Sequence, residues 1–314
     1  MILDWLSVSF SSAIVMSYGD FEASAPAVPF LDVLGLYDSD SLEVRESGGF
    51  NYLYSAVLFP GVLWYWGGSN GNFHLRVSGG GLAFLRNRGW SLENFKRVVM
   101  LGKITRMDIA IDDKSGLLDL EEIKDFWHNE NVSTRFRGMD VVQSWGVGRQ
   151  YRGQTLYFGK REAQRFIRIY DKAAQVGSND HWIRVELEMK GSQACQIFSD
   201  WARSGFEPAF IKGVFLQTLN FTVGNDSNRS RRNTVDWWLA FLDNAVRVKV
   251  IVGSDPDTVG RVRDWIVKQC SSSLWLLSAA FGSSEVAEII GEASPSTRQV
   301  ALLKAFLMGC EDDS

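Results

Sequence analysis

Alternation of apolar and polar positions marks three segments in the middle of the chain, at 104–112, 165–172 and 182–190. In the first of them Met107, Ile109 and Ile111 occupy one face, and the other face holds Arg106, Asp108, Ala110 and Asp112; the other two segments divide in a similar way. Because successive side chains of a strand point to opposite faces, each segment is predicted to be a strand with one apolar and one ionisable face.

The ionisable faces carry a distinctive set of side chains: Arg106, Asp108 and Asp112 in the first segment, Arg168, Tyr170 and Lys172 in the second, and Arg184, Glu186, Glu188 and Lys190 in the third. Crowded carboxylates repel unless a cation lies among them, and oxygen ligands without His or Cys suit Mg²⁺ or Mn²⁺. A tyrosine beside such an ion can attack a phosphodiester. A solvated sheet face with cross-strand Arg–Glu pairs is the alternative, and the pattern leaves both open.

The remaining pattern predicts a mixed first domain and a helical second one. Strands are expected over residues 1–20, 51–77 and 155–158, and helices over 82–86, 91–100, 119–128 and 192–204. After a polar segment at 225–232 the pattern becomes helical, at 235–250, 257–270, 274–290 and 296–308. These spacings predict an α+β domain over residues 1–232 and a small helical domain over 233–314.

Composition excludes several classes of protein. The 314 residues are 46% hydrophobic and 13% aromatic, which is enough for a sizeable core and excludes a mainly disordered chain. No apolar run reaches the ~18 residues of a membrane span, and the first residues lack the basic start of a signal peptide. Cys195, Cys270 and Cys310 are widely spaced, which predicts neither disulfides nor a zinc site and favours the cytoplasm.

The net charge of −4 hides a basic segment, since residues 144–175 hold seven basic side chains against Glu162 and Asp171. A local basic field inside an acidic protein is typical of a phosphate-binding groove, although a solvated loop would have the same composition. Aromatic residues next to these cations are candidates for stacking on bases: Trp145, Tyr151 and Trp182. The candidate DNA contacts are Arg106, Arg149, Arg152, Lys160, Arg161 and Lys190.

Four blocks, at 105–113, 156–161, 168–172 and 182–191, resemble in order the signature blocks of the replication initiation factor family, the Rep_trans type of rolling-circle plasmids and filamentous phages. The resemblance extends over residues 4–222. It implies an antiparallel central sheet with flanking helices, as in rolling-circle nickases, followed here by the C-terminal helices. It also implies origin DNA, single-stranded or melted, as the substrate.

The resemblance further implies a metal-dependent reaction in which a tyrosine nicks DNA, leaving a 5′-phosphotyrosyl bond and a 3′-OH primer. By matching position Tyr170 is the nucleophile, and Asp108 and Glu186 are metal ligands with Asp112 and Glu188 as further candidates. Arg168, Lys172 and Arg184 would balance phosphate charge. Many rolling-circle initiators bind their metal through a His-hydrophobe-His motif, and this chain lacks that motif because its three histidines, His74, His128 and His181, are scattered.

Several points stay open at this stage. Tyr151 and Tyr157 lie close in sequence to Tyr170 and are rival nucleophiles. The same chemistry would serve a relaxase that starts conjugative transfer, and an inactive relative would only bind origin or promoter DNA. The resemblance also implies a homodimer and a host helicase as partners, and nothing suggests a membrane.

Overall fold

The computed structural model describes residues 1–19, 22, 24–38, 42–45, 47–68, 71–224, 226–248, 263, 266–296, 299–300 and 303. The chain divides into two compact units, Met1–Val252 and Gly253–Ser314. The first unit contains every strand named below and all of the candidate site residues.

A ten-stranded antiparallel sheet forms the centre of the first unit, with strand order β2-β3-β4-β5-β1-β6-β11-β10-β9-β8. Its strands are β1 (Ile2–Phe10), β2 (Glu43–Arg45), β3 (Tyr54–Phe59), β4 (Val62–Trp66), β5 (Phe73–Ser78), β6 (Lys103–Asp113), β8 (Met139–Trp145), β9 (Tyr151–Phe158), β10 (Arg165–Asp171) and β11 (Ile183–Lys190). A second sheet pairs β7 (Val132–Thr134) with β12 (Leu219–Phe221). The predicted antiparallel sheet is thereby confirmed.

Helices flank this sheet, as predicted. In the first unit they are α1 (Ser12–Met16), α2 (Val28–Val33), α3 (Gly79–Asn87), α4 (Leu92–Leu101), α5 (Leu120–His128), α6 (Lys172–Val176), α7 (Gly191–Arg203), α8 (Pro208–Thr218) and α9 (Asp236–Phe241). The second unit contains α10 (Ser271–Phe281) and α11 (Ser283–Gly291), which are separated at Gly282 by a backbone φ of 91°. Short non-α turns lie at Val147–Arg149, Arg229–Arg231 and Ile266–Cys270.

The apolar faces of the central strands form the core, as their alternation predicts. Met107 and Ile109 of β6 and Val185 and Leu187 of β11 are fully buried. Helix α7 packs on this side, since its Ile197 is fully buried in the same cluster. The opposite face of the sheet is therefore left to the ionisable side chains.

Short polar side chains set the beginnings of several helices. The Ser91 hydroxyl accepts hydrogen bonds from the backbone N–H groups of Glu93 and Asn94, and the Asn94 side chain accepts from Ser91 N–H, which is a capping box. Asp119 caps α5 in a similar way through its carboxylate. These signals explain why α4 and α5 begin within one residue of their predicted starts.

Other predicted bounds differ from the structure for local reasons. The strand expected over residues 1–20 ends at Phe10, because the side chain of Ser11 accepts a hydrogen bond from Ile14 N–H and starts a helix. Within 235–250 only Asp236–Phe241 is helical among the described residues, and much of the helices expected at 257–270 and 296–308 lies outside them.

The division between the units falls later in the chain than the boundary expected at residue 232. Helix α9 lies in the first unit because Trp238 is fully buried against Phe221, with their ring centroids 5.0 Å apart, and its indole N–H donates to the Leu219 carbonyl. This aromatic contact joins the segment after the polar stretch to β12.

No single helix among the described residues has the length and apolar character needed to cross a membrane. The bent pair α10–α11, with an angle of 119° between its helices, meets those two criteria only when both helices are taken together.

Candidate active site

The three predicted ionisable faces meet on one side of the sheet, because β11 lies between β6 and β10. The register places Glu188 opposite Asp108, and Glu186 opposite Arg168. Tyr170 is opposite Arg184 in the same β10–β11 pair. Cross-strand neighbours on one face interact directly, so the strands bring the predicted tyrosine, acids and arginines together.

Three carboxylates lie almost completely buried in this face. Asp108 is 1% exposed, and Glu186 and Glu188 are each 2% exposed. Arg106 donates from Nε to Asp108 Oδ1 at 2.9 Å and from Nη2 to Asp108 Oδ2 at 2.5 Å, and Nη2 lies 2.7 Å from Glu188 Oε2. Arg168 Nη2 donates to Glu186 Oε1 and lies 3.8 Å from Asp108 Oδ2. We call Asp108, Glu186, Glu188, Arg106 and Arg168 the carboxylate cluster.

Asp108 is a weaker acid than usual, because it is buried and lies beside two other carboxylates. Burial raises the pKa of Asp108 to about 7, even though the hydrogen bonds and charge of Arg106 act to lower it. The negative charges of Glu186 and Glu188 raise this pKa further. An additional positive charge at this place would therefore stabilise the ionised cluster.

Tyr170 borders the carboxylate cluster. Its hydroxyl oxygen lies 3.4 Å from Glu186 Oε2. Burial raises the pKa of the Tyr170 phenol above its usual value, and the Glu186 charge raises it further, while Arg184 and Arg168 act in the opposite direction. The phenol is therefore protonated at neutral pH, and its hydroxyl is directed towards Glu186.

A second group of charges lies beside Tyr170 and is centred on Arg184. Arg184 donates from Nε to Asp112 Oδ1 at 2.6 Å and from Nη2 to Asp112 Oδ2 at 2.9 Å. Burial acts to raise the pKa of Asp112, but the hydrogen bonds from Arg184 and Trp182 outweigh it and the pKa is lowered. Asp112 therefore lies in a fork with Arg184, apart from the carboxylate cluster.

Asp4 belongs to this second group, although its sequence pattern does not mark it as a site residue. Its Oδ1 accepts from Arg184 Nη1 at 3.1 Å. Simple alternation would place Asp4 with the buried Leu6 and Val8, but the pairing of β1 with β6 is irregular between Leu3 and Trp5. An irregular register changes the direction in which the Asp4 side chain points. The sequence does contain a signal for this position, because Asp4 is a polar residue where the alternation of β1 predicts an apolar one.

Lys172 lies at the end of the predicted face and not on the strand. The Asp171 side chain accepts from Ala174 N–H and begins α6, so that Lys172 is the first residue of a helix. Its Nζ lies 5.9 Å from the centre of the Tyr170 ring and donates to Gln175 Oε1 at 2.7 Å. Lys172 is thus near the candidate nucleophile but is not a member of the carboxylate cluster.

The donor atoms of the carboxylate cluster meet some of the needs of a metal ion. The acids of the cluster offer oxygen atoms only, which is the chemistry that Mg²⁺ and Mn²⁺ prefer, and the raised pKa of Asp108 marks a place where a cation is favourable. Arg106 and Arg168 occupy these oxygens, however, and no three His, Cys, Asp or Glu side chains within the described part of the chain are arranged to hold a metal ion. By element type these oxygens suit such an ion, and Arg106 and Arg168 would have to leave them for it to bind.

The predicted DNA contacts do not form one patch. Arg149 lies in the β8–β9 connection and Arg152 is the second residue of β9, while Lys160 and Arg161 follow the end of that strand. The eight residues of β9 therefore separate Arg149 from Lys160 by about 26 Å. Lys190 Nζ donates to the Arg161 carbonyl and lies 2.7 Å from Glu188 Oε1. Arg106 lies in the carboxylate cluster.

The aromatic residues near the basic segment have different surroundings. Trp145 is 58% exposed and packs edge to face against Tyr151, with centroids 5.5 Å apart. Trp182 is covered by Lys114, whose Nζ is 4.2 Å from its centre. The Tyr157 ring stacks on that of Phe166, with centroids 5.6 Å apart, as expected of a packed strand residue.

Comparisons with known proteins agree on one family. The family model described as replication initiation factor matches residues 102–290. The chain is 23% identical over 225 residues to the Bacillus subtilis protein named "Putative DNA relaxase NicK", covering 67% of this chain and 64% of that one. It is 30% identical over 108 residues to a Staphylococcus aureus replication initiation protein, covering 32% of this chain and 30% of that one.

The chain thus spans less than two thirds of the length of these curated relatives. A solved rolling circle replication initiator protein from Geobacillus stearothermophilus has the same fold, with a TM-score of 0.64 and 22% identity over 79% of this chain and 97% of that one. The matched segment contains β6, β10 and β11, the strands that carry the cluster and Tyr170. The chain belongs to the replication initiation factor family.

Proposed function

We propose that this chain is a tyrosine-type nickase that starts rolling-circle replication at origin DNA. One observation supports this most strongly: the Tyr170 hydroxyl lies 3.4 Å from Glu186, next to three buried carboxylates. A protein that only binds DNA does not need a phenol beside a buried acid, whereas a strand transferase needs a nucleophile and a group to take its proton. The family and its relatives are named for replication initiation and for DNA relaxation, and a nicking reaction would serve both.

The proposed reaction joins the Tyr170 oxygen to the phosphorus of one phosphodiester. The phenol gives its proton to Glu186, its oxygen forms the new P–O bond, and the bond from phosphorus to the 3′ oxygen breaks. The 3′ oxygen leaves with the electron pair of that bond and takes a proton, which gives a free 3′-OH and a 5′-phosphotyrosyl link. Arg168 and Arg184 lie where they would stabilise the extra negative charge on the phosphorus centre.

The proposal includes a divalent cation, Mg²⁺ or Mn²⁺. Asp108, Glu186 and Glu188 would hold it, because their oxygens are buried together on one face and the two glutamates raise the pKa of Asp108 in addition to burial. When bound, such an ion polarises the phosphodiester and eases departure of the 3′ oxygen. Asp112 is the weaker candidate ligand because both of its carboxylate oxygens accept hydrogen bonds from Arg184.

The proposed substrate is single-stranded or melted origin DNA, met in the cytoplasm. A homodimer and a host helicase are part of the proposal only through the resemblance to the family. Because one relative is named as a relaxase, initiation of conjugative transfer by the same chemistry is the second candidate function. A catalytically inactive DNA-binding regulator is the third, and the retained Tyr170–Glu186 pair argues against it.

The test is adduct formation on single-stranded origin oligonucleotides in the presence of Mn²⁺. Wild-type protein should yield a band shifted by attached DNA, and Tyr170→Phe should yield none while DNA binding persists. Tyr157→Phe is the matched control, because Tyr157 lies on the same face but stacks on Phe166. An adduct on Tyr170→Phe would move the nucleophile elsewhere, and no adduct from wild type on either replication or transfer origins would favour the regulator.

A further inference from the structure

The polar face of the sheet continues beyond the carboxylate cluster, across β1, β5 and β4 to the turn before β3. Trp5 is opposite Asp108 on one side and opposite Ser78 on the other, so β1 joins the two halves of this face. The continuation is built from aromatic rings and one guanidinium, which we call the aromatic platform: Trp5, Phe50, Tyr52, Tyr65, His74 and Arg76.

Trp5 connects the platform to the candidate active site. The guanidinium carbon of Arg76 lies 4.6 Å from the centre of the Trp5 ring, and that of Arg106 lies 4.7 Å from it. Arg106 belongs to the carboxylate cluster and binds Asp108 and Glu188, so its contact with Trp5 joins the cluster to the platform. The two surfaces are continuous.

Phe50 is the most unusual member of the platform. Its side chain is 68% exposed, yet its backbone has φ of 57°, and Asn51 beside it has φ of 69°. A bulky residue rarely adopts this left-handed conformation, and burial of the ring does not compensate the cost here. The turn is closed by Gly48 N–H donating to the Leu53 carbonyl and Tyr52 N–H donating to the Gly49 carbonyl.

The turn holds the Phe50 ring against other members of the platform. Its centroid lies 5.7 Å from that of Tyr65, with the rings edge to face, and Arg76 lies 5.6 Å from it. Tyr52 stacks on His74 with centroids 5.9 Å apart. An exposed aromatic ring kept at one place by a strained turn is arranged for contact with a flat partner.

The charge of the platform suits a nucleic acid strand. Arg76 is cationic, and no member of the platform is acidic. Burial lowers the pKa of His74 to about 4, and the charge of Arg76 lowers it further, so the imidazole is neutral near pH 7. Phe50 is the exposed ring of the platform, Trp5, Tyr52 and His74 are half-buried, and Tyr65 is buried. Stacking on a base therefore depends mainly on Phe50, and Arg76 offers one contact to phosphate.

We propose that the aromatic platform binds the bases of the single-stranded DNA that continues from the nicked phosphodiester. This inference rests on the proposed function for the position of the nick. Three strand spacings of about 4.8 Å separate β1 from β10, so the platform begins, at Trp5, about 14 Å from the strand of Tyr170. A few nucleotides of extended strand would cross this distance over Arg106 and Trp5.

The test is fluorescence anisotropy of a labelled oligo-dT, with all variants made in the Tyr170→Phe background so that no chemistry occurs. Phe50→Leu keeps an apolar side chain and removes the ring, and it should weaken binding by about tenfold. Leu53→Ala is the matched control, since Leu53 is 64% exposed in the same turn and lies outside the platform. It should bind as the background protein does.

Salt dependence separates stacking from charge. Phe50→Leu should leave the slope of log affinity against log salt unchanged, whereas Arg76→Ala should reduce it by about 0.7 because one phosphate contact is lost. Circular dichroism of each variant checks that the fold is retained. Equal affinity of Phe50→Leu and the background protein would overturn the inference, as would a loss reproduced by Leu53→Ala.

Failure of the proposed function gives a different result. If adducts never form but Phe50→Leu still weakens oligo-dT binding relative to Leu53→Ala, the platform stands and the nickase proposal falls. If adducts form and the Phe50→Leu variant binds normally, the nickase proposal stands and the platform falls.

Discussion

The hydroxyl oxygen of Tyr170 lies 3.4 Å from Oε2 of Glu186, although the strand register pairs Tyr170 with Arg184 and Glu186 with Arg168. The contact is diagonal, between positions offset by two residues on neighbouring strands. Glu186 consequently serves two partners at once, since its other oxygen accepts from Arg168. The acid that faces the candidate nucleophile is thus held in place by a cation.

Removal of that cation should destabilise the fold. Arg168→Met leaves Glu186 buried without its ion-pair partner, and we expect a loss of about 3–5 kcal/mol in the free energy of unfolding, measured by urea denaturation. Arg168→Met combined with Glu186→Gln should recover much of this loss. Arg203→Ala is the control, because its ion pair with Asp200 is exposed and should contribute at most about 1 kcal/mol. An Arg168→Met variant as stable as wild type would contradict the expectation.

Two glycines in the first turn of α3 should differ sharply in their tolerance of a methyl group. A Cβ on Gly81 would lie 2.4 Å from the Gly61 carbonyl oxygen, whereas a Cβ on Gly80 would meet only Ser78 Oγ at 4.0 Å. We expect Gly81→Ala to lower the free energy of unfolding by about 1–3 kcal/mol, and Gly80→Ala to raise it by up to about 1 kcal/mol. Thermal denaturation of the two variants checks this, and equal melting temperatures would refute the close approach.

Stability should depend on pH through Asp108. Because burial raises the pKa of this carboxyl from 3.8 to about 7, the folded state binds its proton more tightly than the unfolded state does. Its contribution to stability is therefore complete below about pH 4 and is lost as the pH rises through about 7. The difference in unfolding free energy between wild type and Asp108→Asn should fall over this window and stay level above it.

Asp112 should show the opposite pH dependence of stability, because its pKa is shifted in the opposite direction. The pKa of Asp112 is lowered from 3.8, so its contribution is present above pH 3.8 and is lost only as the pH falls through the lower value of the folded state. The difference between wild type and Asp112→Asn should stay level from pH 4 to 7. Parallel pH profiles for the two variants would show that Asp108 has no special environment.

Chelation tests the metal component separately. EDTA should abolish adduct formation by wild-type protein, and Mn²⁺ added in excess should restore it, because the proposed ion would offset the crowded carboxylates and polarise the phosphodiester. Binding of oligo-dT by Tyr170→Phe should persist in EDTA, which shows that the protein is still folded. Full activity under chelation would leave proton transfer to Glu186 and the arginines as the whole chemistry.

Alternation predicts the central part of the fold well because each strand there has one buried face. Met107, Ile109 and Ile111 identify the core side of β6, and the ionisable residues between them identify the other side. Alternation does not predict the edge strand β8, because that strand has no buried face. From Asp140 to Trp145 all of its residues are exposed, so neither face leaves a hydrophobic pattern.

The surroundings of the candidate site depended on local geometry that the pattern does not encode. The position of Asp4 comes from an irregular pairing next to it, and that of Lys172 from a cap formed by the preceding Asp171. Phe50 lies in a left-handed turn that its residue type disfavours. Alternation could indicate that acids and arginines share a face, but it could not assign each arginine to its acid.

The sheet is continuous from the aromatic platform to the nucleophile, and that continuity has a mechanical consequence. Adjacent strands rotate by roughly 20–25°, so the four steps from β5 to β10 turn the surface by about 80–100°. A polynucleotide that followed this surface would bend through about a right angle between the aromatic platform and Tyr170. Rigid paired DNA resists such a path, so the curvature itself would select a flexible, unpaired strand.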